Sequence, residues 1–315
     1  MKKNIIVTVP IPEDVQTYLQ QYCEIKKLHP RAEDLHLHLP KAEGLLTSGL
    51  AINDSLLDNA PQLKVVSNKS VGYNNFDINA MKKREVIGTH TPFVLDNTVA
   101  DLVLGLMLSV ARRIPELDQY VKQGLWTKSI DQQLFGTDVH GATLGMIGMG
   151  RIGEVIAKRA IHGFNMNTIY YNRNRKEEVE KELGVKYRQL DELLQSADFV
   201  VLMTPLTKDT YQFFGKKQFS LMKGSAFFIN ASRGATVDEP ALIEALETGQ
   251  IRGAGLDVFE KEPVDVTNPL LKMEQVVTLP HIGSATLKTR EEMAWLAARN
   301  LVHALTGKGS VYRVV

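Results

Sequence analysis

The chain has 315 residues, of which 44% are hydrophobic and 23% are charged, and this composition predicts a globular protein of two domains, each of about 100–200 residues. Its formal net charge of +1, with no basic run, argues against nucleic acid or an anionic membrane as the main partner. The single cysteine, Cys23, excludes an internal disulfide and favours a reducing cytoplasm, and no apolar run approaches the roughly 20 residues that span a bilayer.

In the first third of the chain, short apolar runs alternate with helical patterns. The predicted strands are Ile5–Val9, Leu63–Ser67 and Val86–Thr89, and the predicted helices are Val15–Tyr22, Asp77–Arg84 and the apolar run Leu102–Val110. Asp77 is the candidate N-cap of the second helix. Short strands that alternate with helices predict a parallel sheet.

The middle of the chain repeats this alternation with clearer turns. The predicted strands are Thr143–Ile147, Thr168–Tyr171, Asp198–Met203, Ala226–Asn230, Gly253–Val258 and Val276–Leu279. Together they predict a doubly wound parallel sheet of about six strands. A final helix is expected over Thr286–Thr306, with Gly307 as its C-terminal cap.

The glycine-rich run Gly148–Gly153, which is the strongest nucleotide-binding signal, lies mid-chain. This position predicts that one domain is inserted into another. We expect a substrate domain at residues 1–97 and 287–315, and a dinucleotide-binding domain at residues 98–286. The predicted fold class is therefore α/β, with two doubly wound parallel-sheet domains.

A glycine-rich motif follows the strand predicted at Thr143–Ile147, and a predicted helix follows the motif. Its glycines are Gly148, Gly150 and Gly153. The first permits a tight turn, the second lets the backbone approach a pyrophosphate, and the third lets helix and strand pack closely. The free N–H groups at the start of the helix would then face the phosphates. This context favours dinucleotide binding over a chance glycine-rich loop.

The end of the next predicted strand indicates which dinucleotide is bound. NAD sites usually carry Asp or Glu there, bonded to the ribose 2′-hydroxyl. This chain has Asn172, then Arg173 and Arg175, so no carboxylate would repel a 2′-phosphate and two guanidinium groups could bind it. NADP is therefore the preferred cofactor and NAD the alternative. The competing explanation is that both arginines are merely solvated loop charges.

Three charged residues lie at or just beyond predicted strand ends, where ligands bind in doubly wound sheets. They are Arg233, Glu262 and His281. A ketone that accepts a hydride gains negative charge on its oxygen, which a guanidinium can stabilise and a histidine can neutralise with a proton. Glu260 competes with Glu262 for the position beside the histidine. Taken singly, the histidine and the arginine are more typical of ordinary loop and surface residues.

At these residues the sequence resembles the D-isomer-specific 2-hydroxyacid dehydrogenase family, and within it the glyoxylate/hydroxypyruvate and 2-ketogluconate reductases. The similarity covers essentially the whole chain, including the Ser70–Tyr73 turn, the Thr91-Pro92 step and the helix near Asn97–Arg112. The resemblance implies a Rossmann-like dinucleotide domain inserted into a flavodoxin-like substrate domain. It also implies a homodimer.

The resemblance assigns roles to individual residues. Arg233 would bind the substrate carboxylate and keto oxygen, His281 would act as general acid, and Glu262 would pair with His281. The backbone N–H groups of Val71 and Gly72 would hold the carboxylate. Together with the positions already discussed, the expected cofactor-binding residues are Gly148, Gly150, Arg151, Ile152, Gly153, Asn172, Arg173, Arg175, Thr204, Pro205, Ala231, Asp257 and Gly283.

The expected activity is the reduction of a small 2-oxo acid (glyoxylate, hydroxypyruvate or 2-ketogluconate) to the D-2-hydroxy acid with NAD(P)H. An NAD-dependent D-lactate or D-3-phosphoglycerate dehydrogenase is the alternative enzyme, although Asn172 in place of an acid speaks against strict use of NAD. A dinucleotide-sensing transcriptional corepressor is the alternative from another functional class.

Two further features have open interpretations. His36 and His38 lie two apart and would share one face of a strand, so they could ligate a metal. No cysteine or acidic cluster accompanies them, which favours a surface position, and no metal is expected. Trp126 either closes the substrate pocket or simply packs against its neighbours.

Overall fold

The computed structural model describes residues 2–31 and 33–315. Its strands are β1 (Lys3–Val7), β2 (Cys23–Lys27), β3 (Gly44–Thr47), β4 (Val65–Asn68), β5 (Ile87–Thr89), β6 (Thr143–Ile147), β7 (Asn167–Tyr171), β8 (Lys186–Tyr187), β9 (Phe199–Leu202), β10 (Phe227–Asn230), β11 (Gly253–Leu256) and β12 (Val276–Thr278). Its α-helices are α1 (Glu13–Tyr22), α2 (Leu35–His38), α3 (Asp54–Asp58), α4 (Ile78–Lys83), α5 (Asp96–Ala111), α6 (Ile114–Lys122), α7 (Arg151–Phe164), α8 (Glu177–Leu183), α9 (Leu190–Ser196), α10 (Lys216–Leu221), α11 (Glu239–Glu247) and α12 (Leu287–Thr306).

The first compact unit comprises the described residues of Met1–Leu95 and Ser284–Val315. Its parallel sheet has the order β2-β1-β3-β4-β5, which is the flavodoxin-like arrangement. Every residue of β3 and β4 is buried, as expected for parallel strands covered on both faces. Helix α12 covers one face, where Ala297 and Leu301 pack in one apolar cluster with Ile5 and Leu46.

The second compact unit comprises Asp96–Gly283. Its parallel sheet has the order β12-β11-β10-β9-β6-β7-β8. Counted from β6 as the first strand of the unit, this is the Rossmann order 3-2-1-4-5-6 with one more strand at its edge. Helix α5 is mostly buried, as its uniformly apolar sequence predicts, because it packs against the sheet and against α7.

The predicted fold class is confirmed by these two sheets. Strand β6 has the predicted bounds, and helix α4 has the predicted Asp77 cap, whose side chain accepts a hydrogen bond from the Ala80 N–H at 2.9 Å. Gly307 caps α12 in the left-handed conformation, also as predicted. The chain passes between the units at Leu95–Asp96 and Gly283–Ser284, whereas the sequence-based domain boundaries are 97/98 and 286/287.

Several sequence-based elements require correction. The first strand covers Lys3–Val7 rather than Ile5–Val9. His36 and His38 do not share a strand face, because they lie in the short helix α2, where residues two apart point in different directions. Strands β2, β3 and β8 were not predicted at all. β2 has the largely charged sequence CEIKK at a sheet edge, and β8 has only two residues, so neither gives an apolar pattern.

Among residues 2–31 and 33–315, no helix is both long enough and apolar enough to cross a bilayer.

Candidate active site

The expected functional residues of the second unit follow the carboxyl ends of different strands of one parallel sheet. The glycine-rich turn follows β6, Asn172 follows β7, Thr204 and Pro205 follow β9, Ala231 and Arg233 follow β10, Asp257 follows β11, and His281 follows β12. Parallel strands place all these ends at the same edge. Residues separated by more than a hundred positions in the chain therefore lie along one rim, where open α/β sheets bind ligands.

The three glycines of the turn meet different constraints. Gly148 has φ of 104°, and a Cβ there would lie 2.6 Å from the Met203 carbonyl oxygen. A Cβ at Gly153 would lie 2.4 Å from the Gly148 carbonyl oxygen, so helix α7 approaches the turn closely. Gly150, with φ of −91°, has nothing within 4 Å of a Cβ. The fold thus requires the first and third glycines, whereas Gly150 leaves open space at the start of α7.

This open space suits a dinucleotide pyrophosphate. Gly150 is the N-cap residue of α7 and has no capping side chain, so the N–H groups of Arg151 and Ile152 are at the exposed first turn. A helix N-terminus carries partial positive charge and free donors, which together bind phosphate. The residues present therefore fit the cofactor that the motif predicts.

Arg151 has a partner that the sequence did not indicate. Its Nε lies 3.3 Å from Oδ2 of Asp96, the first residue of α5. The Asp96 side chain is buried, and burial raises the pKa of its carboxyl although the charge of Arg151 opposes this rise. Asp96 is thus in a position to orient Arg151 at the beginning of α7.

The loop after β7 is held by two networks. Asn172 accepts a hydrogen bond from the Met149 N–H at 2.7 Å and donates one to the Met149 carbonyl at 3.3 Å, which fixes the glycine-rich turn. Arg175 donates two hydrogen bonds to Glu180, both at 2.7 Å, and the Tyr170 hydroxyl also donates to Glu180. Hydrogen bonds from Arg175 and then Tyr170 lower the pKa of Glu180 to about 2.

The two arginines of this loop are therefore not equivalent. Arg175 is neutralised by Glu180, whereas Arg173 is exposed and makes no hydrogen bond or ion pair with the described residues. Its guanidinium remains available for a ligand.

The imidazole of His281 contacts a carboxylate. Its Nδ1 lies 2.7 Å from Oε2 of Glu262, and Oε1 of Glu262 accepts a hydrogen bond from the Phe259 N–H at 3.1 Å. Burial alone would raise the pKa of Glu262, but the hydrogen bond and charge of His281, the Phe259 N–H and the charge of Arg233 together lower it. Glu262 is therefore an ionised partner of the imidazole at neutral pH.

The competing carboxylate, Glu260, is engaged elsewhere. Its Oε1 accepts a hydrogen bond from Gln212 at 3.1 Å, and its backbone N–H donates to Glu239 at 3.0 Å. It is Glu262 and not Glu260 that contacts His281.

Arg233 lies on a loop that packs closely against the loop of Glu262. A Cβ on the next residue, Gly234, would lie only 1.8 Å from the carbonyl carbon of Phe259, so no other residue fits there. Burial lowers the pKa of Arg233, and the charge of Glu262 opposes that shift. The guanidinium is also positioned by its Nη1, which donates to the Ser232 carbonyl at 2.6 Å.

Asp257 holds the backbone that follows His281. Its Oδ1 accepts from the Ile282 N–H at 2.7 Å, and its Oδ2 accepts from the Gly283 N–H at 2.8 Å. Its side chain is only 1% exposed, and burial raises its pKa in spite of these two hydrogen bonds. Asp257 therefore fixes the turn in which His281 adopts the left-handed φ of 54°.

Val71 and Gly72 lie in the first unit, in the turn after β4. Their carbonyls are occupied, because His90 Nδ1 lies 2.9 Å from the Val71 oxygen and Asn68 donates to the Gly72 oxygen at 2.7 Å. Among the described residues, neither of their own N–H groups donates a hydrogen bond. Both groups are thus available for a carboxylate.

Two candidates remain, a metal site and Trp126. In the described part of the chain, no group of three or more His, Cys, Asp or Glu residues could hold a metal ion. Trp126 does not pack in a core, because it is 62% exposed in the segment that follows α6.

Comparisons with known proteins identify the family of the chain. Residues 104–283 match the family "D-isomer specific 2-hydroxyacid dehydrogenase, NAD binding domain". The chain is 50% identical over 312 residues to glyoxylate/hydroxypyruvate reductase B of Citrobacter koseri, covering 98% of this chain and 96% of the relative.

Solved structures of similar proteins cover nearly the whole chain. An NADPH-dependent glyoxylate/hydroxypyruvate reductase from Sinorhizobium meliloti, in complex with NADP and malonate, has a TM-score of 0.90 and 32% identity, covering 100% of this chain and 97% of its own. D-lactate dehydrogenase from Aquifex aeolicus, complexed with NAD and lactic acid, has a TM-score of 0.88 and 29% identity, covering 97% of this chain and 96% of its own.

The different surroundings of the glycines lead to a paired prediction. We expect Gly150→Ala to leave the free energy of unfolding within about 0.5 kcal/mol of the wild type, because its Cβ meets no atom. It should nevertheless weaken NADPH binding about ten-fold or more, because a methyl group would displace the pyrophosphate.

Gly148→Ala is the matched variant, and it should destabilise the ligand-free protein by about 1–3 kcal/mol through its positive φ and the clash with Met203. Calorimetric unfolding and fluorescence titration with NADPH measure the two effects. Equal loss of stability in both variants would contradict the assignment of Gly150 to the ligand.

Proposed function

Since this chain belongs to the D-isomer specific 2-hydroxyacid dehydrogenase family and is an NAD(P)-dependent oxidoreductase, we propose that it reduces glyoxylate, hydroxypyruvate or 2-ketogluconate to the D-2-hydroxy acid. The names of the relatives at 48–50% identity favour the first two substrates. They give no support to the alternatives of a D-lactate dehydrogenase, a D-3-phosphoglycerate dehydrogenase or a transcriptional corepressor.

The observation that carries this proposal is the 2.7 Å contact between Nδ1 of His281 and the ionised carboxylate of Glu262. A carboxylate on Nδ1 fixes the orientation of the ring and leaves Nε2 as the nitrogen that can face a substrate. It also places a negative charge beside the ring that would act as the acid.

The proposed chemistry needs a hydride, a proton and a means of stabilising the carbonyl oxygen. When bound, the reduced nicotinamide supplies the hydride to the carbonyl carbon. Arg233 would bind the carboxylate and the keto oxygen, stabilising the negative charge that develops there. His281 would hold a proton at Nε2 and donate it to that oxygen, while Glu262 stabilises the charged imidazole. The N–H groups of Val71 and Gly72 would bind the substrate carboxylate.

Substitutions of the acid and its partner test these roles. His281→Ala should lower kcat for glyoxylate reduction by about 10²–10⁴-fold, the range for general acid catalysis. Glu262→Gln should lower it less, because the imidazole remains but its charged partner is lost. Rates are followed as the loss of NADPH absorbance at 340 nm.

Glu260→Gln is the control, because Glu260 contacts Gln212 and Glu239 rather than His281. It should retain wild-type turnover. Unchanged turnover in His281→Ala, or equal losses in the two glutamate variants, would refute the assignment. Rates with glyoxylate, hydroxypyruvate and 2-ketogluconate, each with both coenzymes, would identify the substrate.

The preference for NADP rests on the loop after β7. The remaining cofactor residues, among them Thr204, Pro205, Ala231 and Gly283, would line the same rim. Asn172 occupies the position where an NAD-specific site would carry an acid. Its amide is already hydrogen-bonded to the backbone of Met149. Arg173 is available, whereas Arg175 is bound to Glu180. We therefore assign the 2′-phosphate mainly to Arg173, with Arg175 holding the shape of the loop.

Arg173→Ala should raise KM for NADPH by about 10–100-fold, the range for one charged hydrogen bond, and should change KM for NADH little. Arg175→Ala should have a smaller effect, and it should be similar for both coenzymes. Steady-state kinetics with both coenzymes measure the difference. The phosphate assignment fails if Arg173→Ala affects NADH and NADPH equally.

We propose the first unit, residues 1–97 and 287–315 in the sequence-based division, as the substrate domain and residues 98–286 as the dinucleotide-binding domain. The flavodoxin-like and Rossmann strand orders of the two sheets support these assignments. We also propose a cytoplasmic location, because Cys23 is a buried free thiol that has no disulfide partner.

We further propose that the protein is a homodimer. Six apolar side chains between residues 114 and 135 are at least half exposed, namely Ile114, Val121, Leu125, Trp126, Ile130 and Phe135. An exposed apolar set of this kind is typical of a protein interface. A second copy of the chain would bury it.

The charged variant Trp126→Asp should therefore shift the protein from dimer towards monomer in sedimentation velocity. Val266→Asp is the control, since Val266 is 83% exposed and lies outside the apolar set. A monomeric wild-type protein, or the same mass for the wild type and Trp126→Asp, would contradict this interface.

A further inference from the structure

Two cationic side chains of the first unit form no ion pair with a carboxylate of the described residues. They are Lys69, which directly follows β4, and Arg290 in the first turn of α12. Arg290 is the charged group that acts on Lys69, and among the described residues no carboxylate forms an ion pair with either. A buried or half-buried charge is normally paired, so an unpaired cationic couple needs another explanation.

Lys69 is held firmly rather than solvated freely. Its backbone N–H donates to the Thr47 carbonyl at 2.7 Å, and its Nζ donates to the Pro10 carbonyl at 2.8 Å. One neutral carbonyl leaves two ammonium N–H donors for other partners. Burial, and then the charge of Arg290, lowers the pKa of Lys69, which is the direction expected for an ammonium that lacks a counter-ion.

The end of the sheet adds further positive potential. Thr47 is the last residue of β3, and Pro10 and Lys69 follow the carboxyl ends of β1 and β4, so all three share the edge at which open sheets bind ligands. Helix α12 begins there with Thr286 as its N-cap and has no acidic residue in its first turn. The helix N-terminus therefore adds its partial positive charge to those of Lys69 and Arg290.

Lys69 also lies two residues before Val71, whose N–H and that of Gly72 are available donors. Lys69 and these two amides therefore belong to one short segment that follows the carboxyl end of β4. This segment offers both neutral and cationic hydrogen-bond donors.

We propose that Lys69 and Arg290 form a second anion subsite, which binds a carboxylate at the far end of a 2-oxo acid. The subsite rests on the proposed function, since Val71 and Gly72 hold the first carboxylate. It makes four-carbon dicarboxylic 2-oxo acids better substrates than monocarboxylic acids of the same length, and it makes Lys69 a specificity-determining residue.

The test compares oxaloacetate with 2-oxobutanoate, which have the same number of carbons and differ in the second carboxylate. The wild type should have a kcat/KM for oxaloacetate about ten-fold or more above that for 2-oxobutanoate, as one charged hydrogen bond provides. Lys69→Met and Arg290→Met should each lower the value for oxaloacetate about ten-fold and that for 2-oxobutanoate several-fold less. Lys69→Arg should retain most of the preference.

Lys64→Met is the matched control, since Lys64 precedes the same strand at its opposite end and pairs with Glu43 at 3.1 Å. It should leave both substrates at wild-type values. A wild-type ratio near one would overturn the proposal, and so would equal losses on the two acids in Lys69→Met.

Calorimetric titration with malonate and with propanoate separates the subsite from the reductase activity. Malonate should bind the wild type more tightly than propanoate, and Lys69→Met should remove that difference. If no 2-oxo acid is reduced, the proposed function fails while the malonate result still decides the subsite. Equal binding of malonate and propanoate by the wild type overturns the subsite even if glyoxylate is reduced.

Discussion

The buried carboxylate of Asp257 is the interaction on which the geometry of the candidate site depends. It bonds to two successive backbone N–H groups just after His281, and this joins the end of β11 to the turn after β12. The histidine adopts a positive φ within that turn, a conformation that side chains rarely adopt unless the surroundings impose it. Once the turn is fixed, the imidazole meets Glu262 and needs no contact of its own with the core. A surface-exposed histidine is thereby given one orientation by a residue that is itself buried.

The second constraint is steric and lies on the other side of Glu262. Gly234 has no room for even one methyl group against Phe259, so the loops after β10 and β11 pack backbone to backbone. This packing brings the charge of Arg233 close enough to Glu262 to affect the pKa values of both groups. Arg233, Glu262 and His281 thus share one electrostatic environment, although each comes from the end of a different strand. Three short loops are sufficient to bring these side chains together, because the parallel sheet already places the ends of its strands along one rim.

Sequence reasoning predicted what depends on local pattern and failed where long-range contacts decide. The glycine-rich turn, the Asp77 cap and the Gly307 cap are local signals, and the structure contains each of them. The assignment of His36 and His38 to a strand failed because a four-residue helix has no recognisable period. The ion pair between Arg175 and Glu180 was not predicted, although the two residues are only five positions apart in the sequence, on either side of the start of α8. The link between Asp96 and Arg151 spans 55 positions, and only the packing of α5 against α7 could reveal it.

At the carboxyl ends of both sheets, some cationic side chains have a carboxylate partner and others do not. In the second unit, a carboxylate accompanies Arg151, Arg175 and His281, whereas Arg173 has no such partner among the residues that the structure describes. In the described part of the first unit, neither Lys69 nor Arg290 forms an ion pair with a carboxylate. A paired cation mainly holds protein structure, because its charge is already compensated, whereas an unpaired one retains its attraction for a ligand. The distribution of carboxylates therefore separates the cations that shape each rim from those that remain for a phosphate or a carboxylate.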